Sequence, residues 1–161
     1  KFEPAARRSP DRRNEMYDEE YSPIVAFTGT RAGMSQKQFD RFEFECQKIG
    51  KMSEFHHGDC VGADVQAATS IQLSKLCNEI HSWPGHIASL RAGFKSWCRH
   101  PAMDCLKRNR LMVDEADILI ACPREMAEVA RGGTWYTVRY ARSKNVPMVM
   151  CWPDGTASEE E

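Results

Sequence analysis

The chain has 161 residues, enough for one domain with a substantial core, and its 22 basic residues nearly balance 23 acidic ones. That balance excludes a bulk nucleic-acid coat or a strongly basic membrane binder, while leaving room for a local basic pocket. No apolar run approaches the roughly 20 residues of a membrane span, and no secretory signal pattern opens the chain.

Residues 1–22 are charged, hold two prolines and show no apolar period, which marks them as a flexible N-terminal arm. "IVAFT" (Ile24 to Thr28) is a β-rich apolar run suited to a buried parallel strand. After "GTRAGM", Ser35 can cap a helix, with Gln38 at the capping-box position. Phe39, Phe42, Cys46 and Ile49 share one face of that helix, and Gly50 ends it. "SEFHH" predicts a second, weaker strand, followed by a helix from about Val61 to Leu76. "EIHSW" is a third strand, stopped by Pro84-Gly85, and the segment to Pro101 is irregular. A helix from about Ala102 to Glu115 leads into a strong buried strand, "DILIACP". A loop to Gly133, a helix from Thr134 to Lys144 and the strand "VPMVMCW" follow, and residues 154–161 form an acidic tail.

This alternation predicts an α/β, Rossmann-like, mostly parallel sheet of about five strands with helices on both faces, spanning residues 23–153. In such sheets ligands sit beyond the carboxyl ends of the strands, where the strand order reverses. Three strand-to-helix turns are rich in glycine: Thr28 to Arg31, Gly58 to Asp64, and Arg131 to Thr134. With strand order 3-2-1-4-5, all three would open onto one crevice. Gly29, Gly58, Gly62, Gly132 and Gly133 would let backbone N–H groups approach a phosphate, and a helix start adds the positive end of its dipole. Thr30 and Thr134 offer hydroxyls, and Arg31 a guanidinium fork. Neither GxGxxG nor GxxxxGK[ST] occurs, which argues against an ordinary NAD-dependent dehydrogenase or P-loop NTPase. Asp59 and Asp64 flank the second turn, where a carboxylate can hold ribose hydroxyls or act as a general base. For Asp59, capping of the following helix is an equal alternative.

"FTGTR", "HHGDCVGAD", "KRNRLMVDEADILIACP" and "RGGTWYTVRYARSKNVPMV" together resemble the SLOG superfamily, in order and in approximate spacing. That group includes the DNA-processing protein DprA/Smf, the LOG phosphoribohydrolases and small stand-alone relatives of the YspA type, to which this chain is most similar. The resemblance covers about Ile24 to Trp152. It implies a nucleotide-derived ligand whose phosphate sits at Gly132-Gly133-Thr134, with Gly29 and Arg31 nearby and Arg108 and Asn109 contributed by the helix before the fourth strand. Relatives commonly assemble through helices, which implies a homo-oligomer. The LOG hydrolases carry a glutamate after the phosphate turn, and Thr137 stands in its place here. Either the protein only binds, as a sensor, carrier or sequestering protein, or another carboxylate serves: Asp59, Asp64, Glu125 or Glu128. Hydrolysis of the N-glycosidic bond of a nucleoside monophosphate or ADP-ribose-like compound is the alternative. A DNA-binding role like that of DprA is a third, against which the near-neutral charge counts.

Trp135 could meet a base or pack helix against sheet. His56 and His57 are expected to be satisfied at a strand end, and His81 and His86 make a poor metal pair across Pro84-Gly85. Seven scattered cysteines without a CxxC pair read as reduced core thiols of a cytoplasmic protein. No metal or cofactor is expected. Arg91, Lys95 and Arg99 recur at a helical spacing of four and are expected on an exposed helix face, and the Arg7-Arg8 and Arg12-Arg13 pairs on a solvated arm.

Overall fold

The computed structural model describes residues 21–161. The arm assigned to residues 1–22, with both of its arginine pairs, lies outside them except for Tyr21 and Ser22. The chain runs β1 (Ile24–Gly29), α1 (Gln36–Ile49), β2 (Glu54–His57), α2 (Ala63–Ser74), β3 (Ile80–Ser82), β4 (Cys98–Arg99), α3 (Cys105–Glu115), β5 (Ile118–Cys122), α4 (Gly133–Ser143), β6 (Met148–Cys151) and β7 (Ala157–Glu160). The sheet order is β4-β3-β2-β1-β5-β6-β7, parallel throughout except for the β6–β7 pair. Its central five strands have the expected reversal beside β1, and two further strands extend the edges.

Strands β1, β5 and β6 are almost wholly buried, as parallel strands covered on both faces must be. Period-two alternation divides their side chains between two cores. Val25, Phe27, Phe55 and Ile120 pack under α1 and α2, with the Phe27 ring edge-on to Phe42 at 5.3 Å. Ala26, Leu119, Ala121 and Met150 pack under α3 and α4 with Trp135 and Val138. No helix among the described residues is long and apolar enough to cross a membrane. All seven cysteines are free, four of them buried.

Three local expectations are corrected. Ser35 caps α1, its Oγ accepting from the Gln38 N–H at 3.1 Å, but Gln38 does not complete the capping box. Its buried amide donates instead to the carbonyls of Pro123 (2.8 Å) and Cys151 (2.7 Å), tying α1 to the ends of β5 and β6. Residues 157–160 of the acidic tail form β7: the Asp154-Gly155 turn, with Gly155 at φ +88°, reverses the chain onto β6. Arg91, Lys95 and Arg99 share no helix, because the segment after β3 holds only a short 3₁₀ turn and β4.

Candidate functional site

The first two glycine turns are built into each other. The Thr30 carbonyl accepts from the N–H groups of Gly33 (3.1 Å) and Ala63 (3.0 Å), so the start of α2 is partly satisfied by the loop after β1. Gly62, at φ +90°, lies so close that an added Cβ would stand 2.3 Å from the Arg31 carbonyl oxygen. A Cβ at Gly29 would stand 2.6 Å from that of Ala63. These glycines allow chain to lie on chain, and the Thr30 hydroxyl accepts from Ala32 N–H. Arg31 remains exposed.

The polar side chains behind these turns are interior groups. Asp59 is fully buried, with Oδ1 accepting from Phe94 N–H and Oδ2 from Arg99, both at 2.9 Å. It neither caps α2, whose N-cap is Gly62 without a side-chain bond, nor offers a free carboxylate; it anchors the irregular 91–99 segment. Arg108, expected at the ligand, is only 3% exposed. Its guanidinium donates to the carbonyls of Gly58 and Trp83 (both 2.5 Å), to Asn109 Oδ1 (2.7 Å) and to Cys60 Sγ (3.1 Å). A Cβ at Gly58 would collide with Arg108 and Asp64. His56 and His57 are both satisfied: Trp83 Nε1 donates to His56 Nδ1, Asp59 N–H donates to His57 Nδ1, and His57 Nε2 meets Ser82 Oγ.

Asp64 is the carboxylate poised near neutrality. Burial raises its pKa to about 6, outweighing Arg108 nearby and the Cys60 and Gly58 N–H groups, which favour the anion. A folded pKa above the unfolded value means stability that is fully present below about pH 4 and lost as pH rises through about 6. The difference amounts to about 3 kcal/mol. Asp64→Asn should therefore gain on wild type between pH 4 and pH 7 in denaturant midpoints. A constant gap across that range would place Asp64 in an ordinary carboxylate environment.

The third turn differs in kind. Gly132, at φ +121°, has no described atom within 4 Å of where a Cβ would stand, and Gly133 has only Asn109 Nδ2 at 3.9 Å. α4 begins with Gly132 as N-cap and no side-chain cap, so its first N–H groups face an exposed turn flanked by Arg131 and Thr134. The Asn109 amide nitrogen lies near Gly133, and its Oδ1 accepts from Arg108, which donates to the Gly58 carbonyl.

The other predicted site residues lie elsewhere. Trp135 is 2% exposed, donates to Glu125 Oε2 at 3.0 Å and leans on Trp152, so it packs helix against sheet. Glu128 is exposed and ion-pairs with Arg142 and Arg139 along α4. Thr137, in the glutamate's place, is fully buried and bonds back to the Gly133 carbonyl at 2.8 Å. A groove of about 1050 Å³ runs between α1 and α2, but none of its lining residues belongs to the three turns.

No family model matches the chain, and no curated protein matches it in sequence. The solved structures that share its fold include the following two. One is DNA processing protein A (DprA) from Streptococcus pneumoniae, with a TM-score of 0.61 and 17% identity over 80% of this chain. The chain spans 50% of that protein's length. The other is a molybdenum cofactor binding protein from the phototrophic bacterium Rippkaea orientalis, with a TM-score of 0.60 and 16% identity, covering 81% of this chain and 77% of that one. The chain therefore has the DprA-like, Rossmann-like fold that the SLOG resemblance implies.

Proposed function

We propose that the chain binds a phosphorylated small molecule of the nucleotide or nucleotide-sugar class at the start of α4, as a sensor, carrier or sequestering protein. The observation that carries this reading is the contrast between its glycines. Gly29, Gly58 and Gly62 sit where any Cβ would collide, so packing explains them. Gly133 has an ordinary φ and open space, so the fold does not require glycine there. What its small size leaves exposed is a run of helix-start N–H donors, the arrangement that suits a phosphate. Thr134, Arg31, Arg131 and the Asn109 amide supply further donors on the same edge. Of the two structures named above, one is described as a cofactor binding protein and the other as a DNA processing protein.

Calorimetric titration with AMP and with ADP-ribose tests the reading. Wild type should bind at least one of them, and Gly133→Val should weaken that binding about tenfold or more while leaving the melting temperature nearly unchanged. Equal binding by the variant, or none by wild type, would remove α4 as the ligand site. Single-stranded DNA as a competing probe covers the DprA-like alternative, whose mark is salt-sensitive binding.

One observation favours a second reading, N-glycosidic hydrolysis. Asp64 has the raised pKa expected of a carboxyl that exchanges a proton near neutral pH, and it lies at the neighbouring turn. In that case mass spectrometry would detect released free base with wild type and not with Asp64→Asn, which would still bind.

A further inference from the structure

At the opposite edge of the sheet, six side chains with metal-binding or hydrogen-bonding chemistry share one face. The parallel register pairs His56 with His81 and His81 with Cys98. Period-two alternation adds Glu54, Trp83 and His100 to the same side. The rings are stacked closely: His56 on His81 at 4.3 Å, and Trp83 on His100 at 3.5 Å.

Two trios here have donor atoms within 4.8 Å of one another: Glu54, His56 and His81, and His81, Cys98 and His100. Hydrogen bonding rules out the first. An indole N–H can only donate, so Trp83 Nε1, 2.9 Å from His56 Nδ1, makes that nitrogen an acceptor. The His56 proton is then on Nε2, donated to Glu54 at 2.6 Å, and no lone pair is left for a cation. The second trio has no such commitment. His81 Nδ1 lies 3.1 Å from His100 Nε2, and Cys98 Sγ lies 3.8 Å from the same nitrogen. Two imidazole nitrogens and a thiolate around tetrahedral zinc would lie about 3.3 Å (N to N) and about 3.6 Å (N to S) apart.

The other nitrogen of His81 supplies an independent sign. Nε2 is buried and has no hydrogen-bond partner, with Glu54 Oε2 at 3.8 Å. A hydrogen bond between the two histidines leaves this atom orphaned in either tautomer. A cation on Nδ1 would fix the proton on Nε2, aimed at a carboxylate, as metal-bound histidines are normally held.

We infer that His81 Nδ1, Cys98 Sγ and His100 Nε2 form a binding site for a divalent transition metal of the zinc class. Two nitrogens and a sulfur suit zinc or cobalt and not magnesium or calcium. On binding, the Cys98 thiol proton passes to solvent as the metal–thiolate bond forms, with no change of oxidation state. The fourth position is left to water or an exogenous ligand, beside the exposed Trp97. The metal would pin β4, only two residues long, to β3.

The test uses the full chain, reduced and stripped with a chelator, and titrated first with cobalt(II) and then with zinc. One equivalent of cobalt should give a thiolate-to-cobalt charge-transfer band that zinc abolishes, and zinc should raise the melting temperature. Cys98→Ser should lose the band and, like His100→Gln, bind zinc about tenfold or more weakly. Its metal-free melting temperature should match that of metal-free wild type, which shows that the fold is intact. No band in wild type, or a band that persists in Cys98→Ser from another cysteine, would overturn the assignment.

Discussion

Arg108→Met should cost the fold about 3–5 kcal/mol, read as a lower urea midpoint with an unchanged slope. Methionine keeps most of the volume, so the loss reports the guanidinium and not a cavity. Its removal strands the carbonyls of Gly58 and Trp83 and the Oδ1 of Asn109 in the interior. A stranded buried acceptor costs about 1–3 kcal/mol. Lysine should not rescue, because a single ammonium cannot reproduce a planar fork that reaches a carbonyl on each side. The same variant should raise the pKa of Asp64 further, since Arg108 is the foremost influence opposing its desolvation. A loss below about 1 kcal/mol would mean that Arg108 is solvated and does not hold the two strand ends together.

Gly62→Ala should be nearly as damaging, at about 2–5 kcal/mol. Two costs add: a positive φ, worth about 1–2 kcal/mol for any L side chain, and a methyl forced against backbone, worth about 1–3 kcal/mol. The nearest atoms, Arg31 O at 2.3 Å and Thr30 O at 2.8 Å, are backbone and cannot swing aside. Gly93→Ala is the matched control: φ there is +70°, but no described atom lies within 4 Å, so only the conformational cost applies. Thermal unfolding of the two variants side by side separates the terms. Equal losses would show that the two loops are not packed as tightly as these distances require.

Much of the architecture was legible because it rests on local signals. Buried apolar runs marked β1, β5 and β6, and glycine or proline punctuation marked the helix ends. The glycine turns were also visible, but the reason for each was not. A glycine that a crossing loop requires and one with open space around it look alike in sequence, and only the surroundings of Gly62 and Gly133 separate them. Arg108 was singled out by the resemblance, but its burial was not legible, because its neighbours Lys107 and Arg110 are exposed and the helix reads as a charged run. The proximity of His81, Cys98 and His100 was not legible because it is set by strand pairing, which brings residues 81 and 98 side by side. The hairpin at Asp154-Gly155 was within reach, since that dipeptide is a turn signal; the polar sequence after it masked the strand.

That last strand has a consequence for how copies of this chain meet one another. β6 consists of Met148, Val149, Met150 and Cys151, all buried, and β7 occupies its outer row of hydrogen-bonding groups. β7 carries Glu159 and Glu160, held by Lys48 and Arg142. A chain shortened to residue 153 would offer a bare, apolar strand edge to any passing copy, the geometry from which edge-to-edge aggregation grows. Four residues, three of them polar, therefore act as a guard rail, and the two glutamates keep the new edge unattractive in turn.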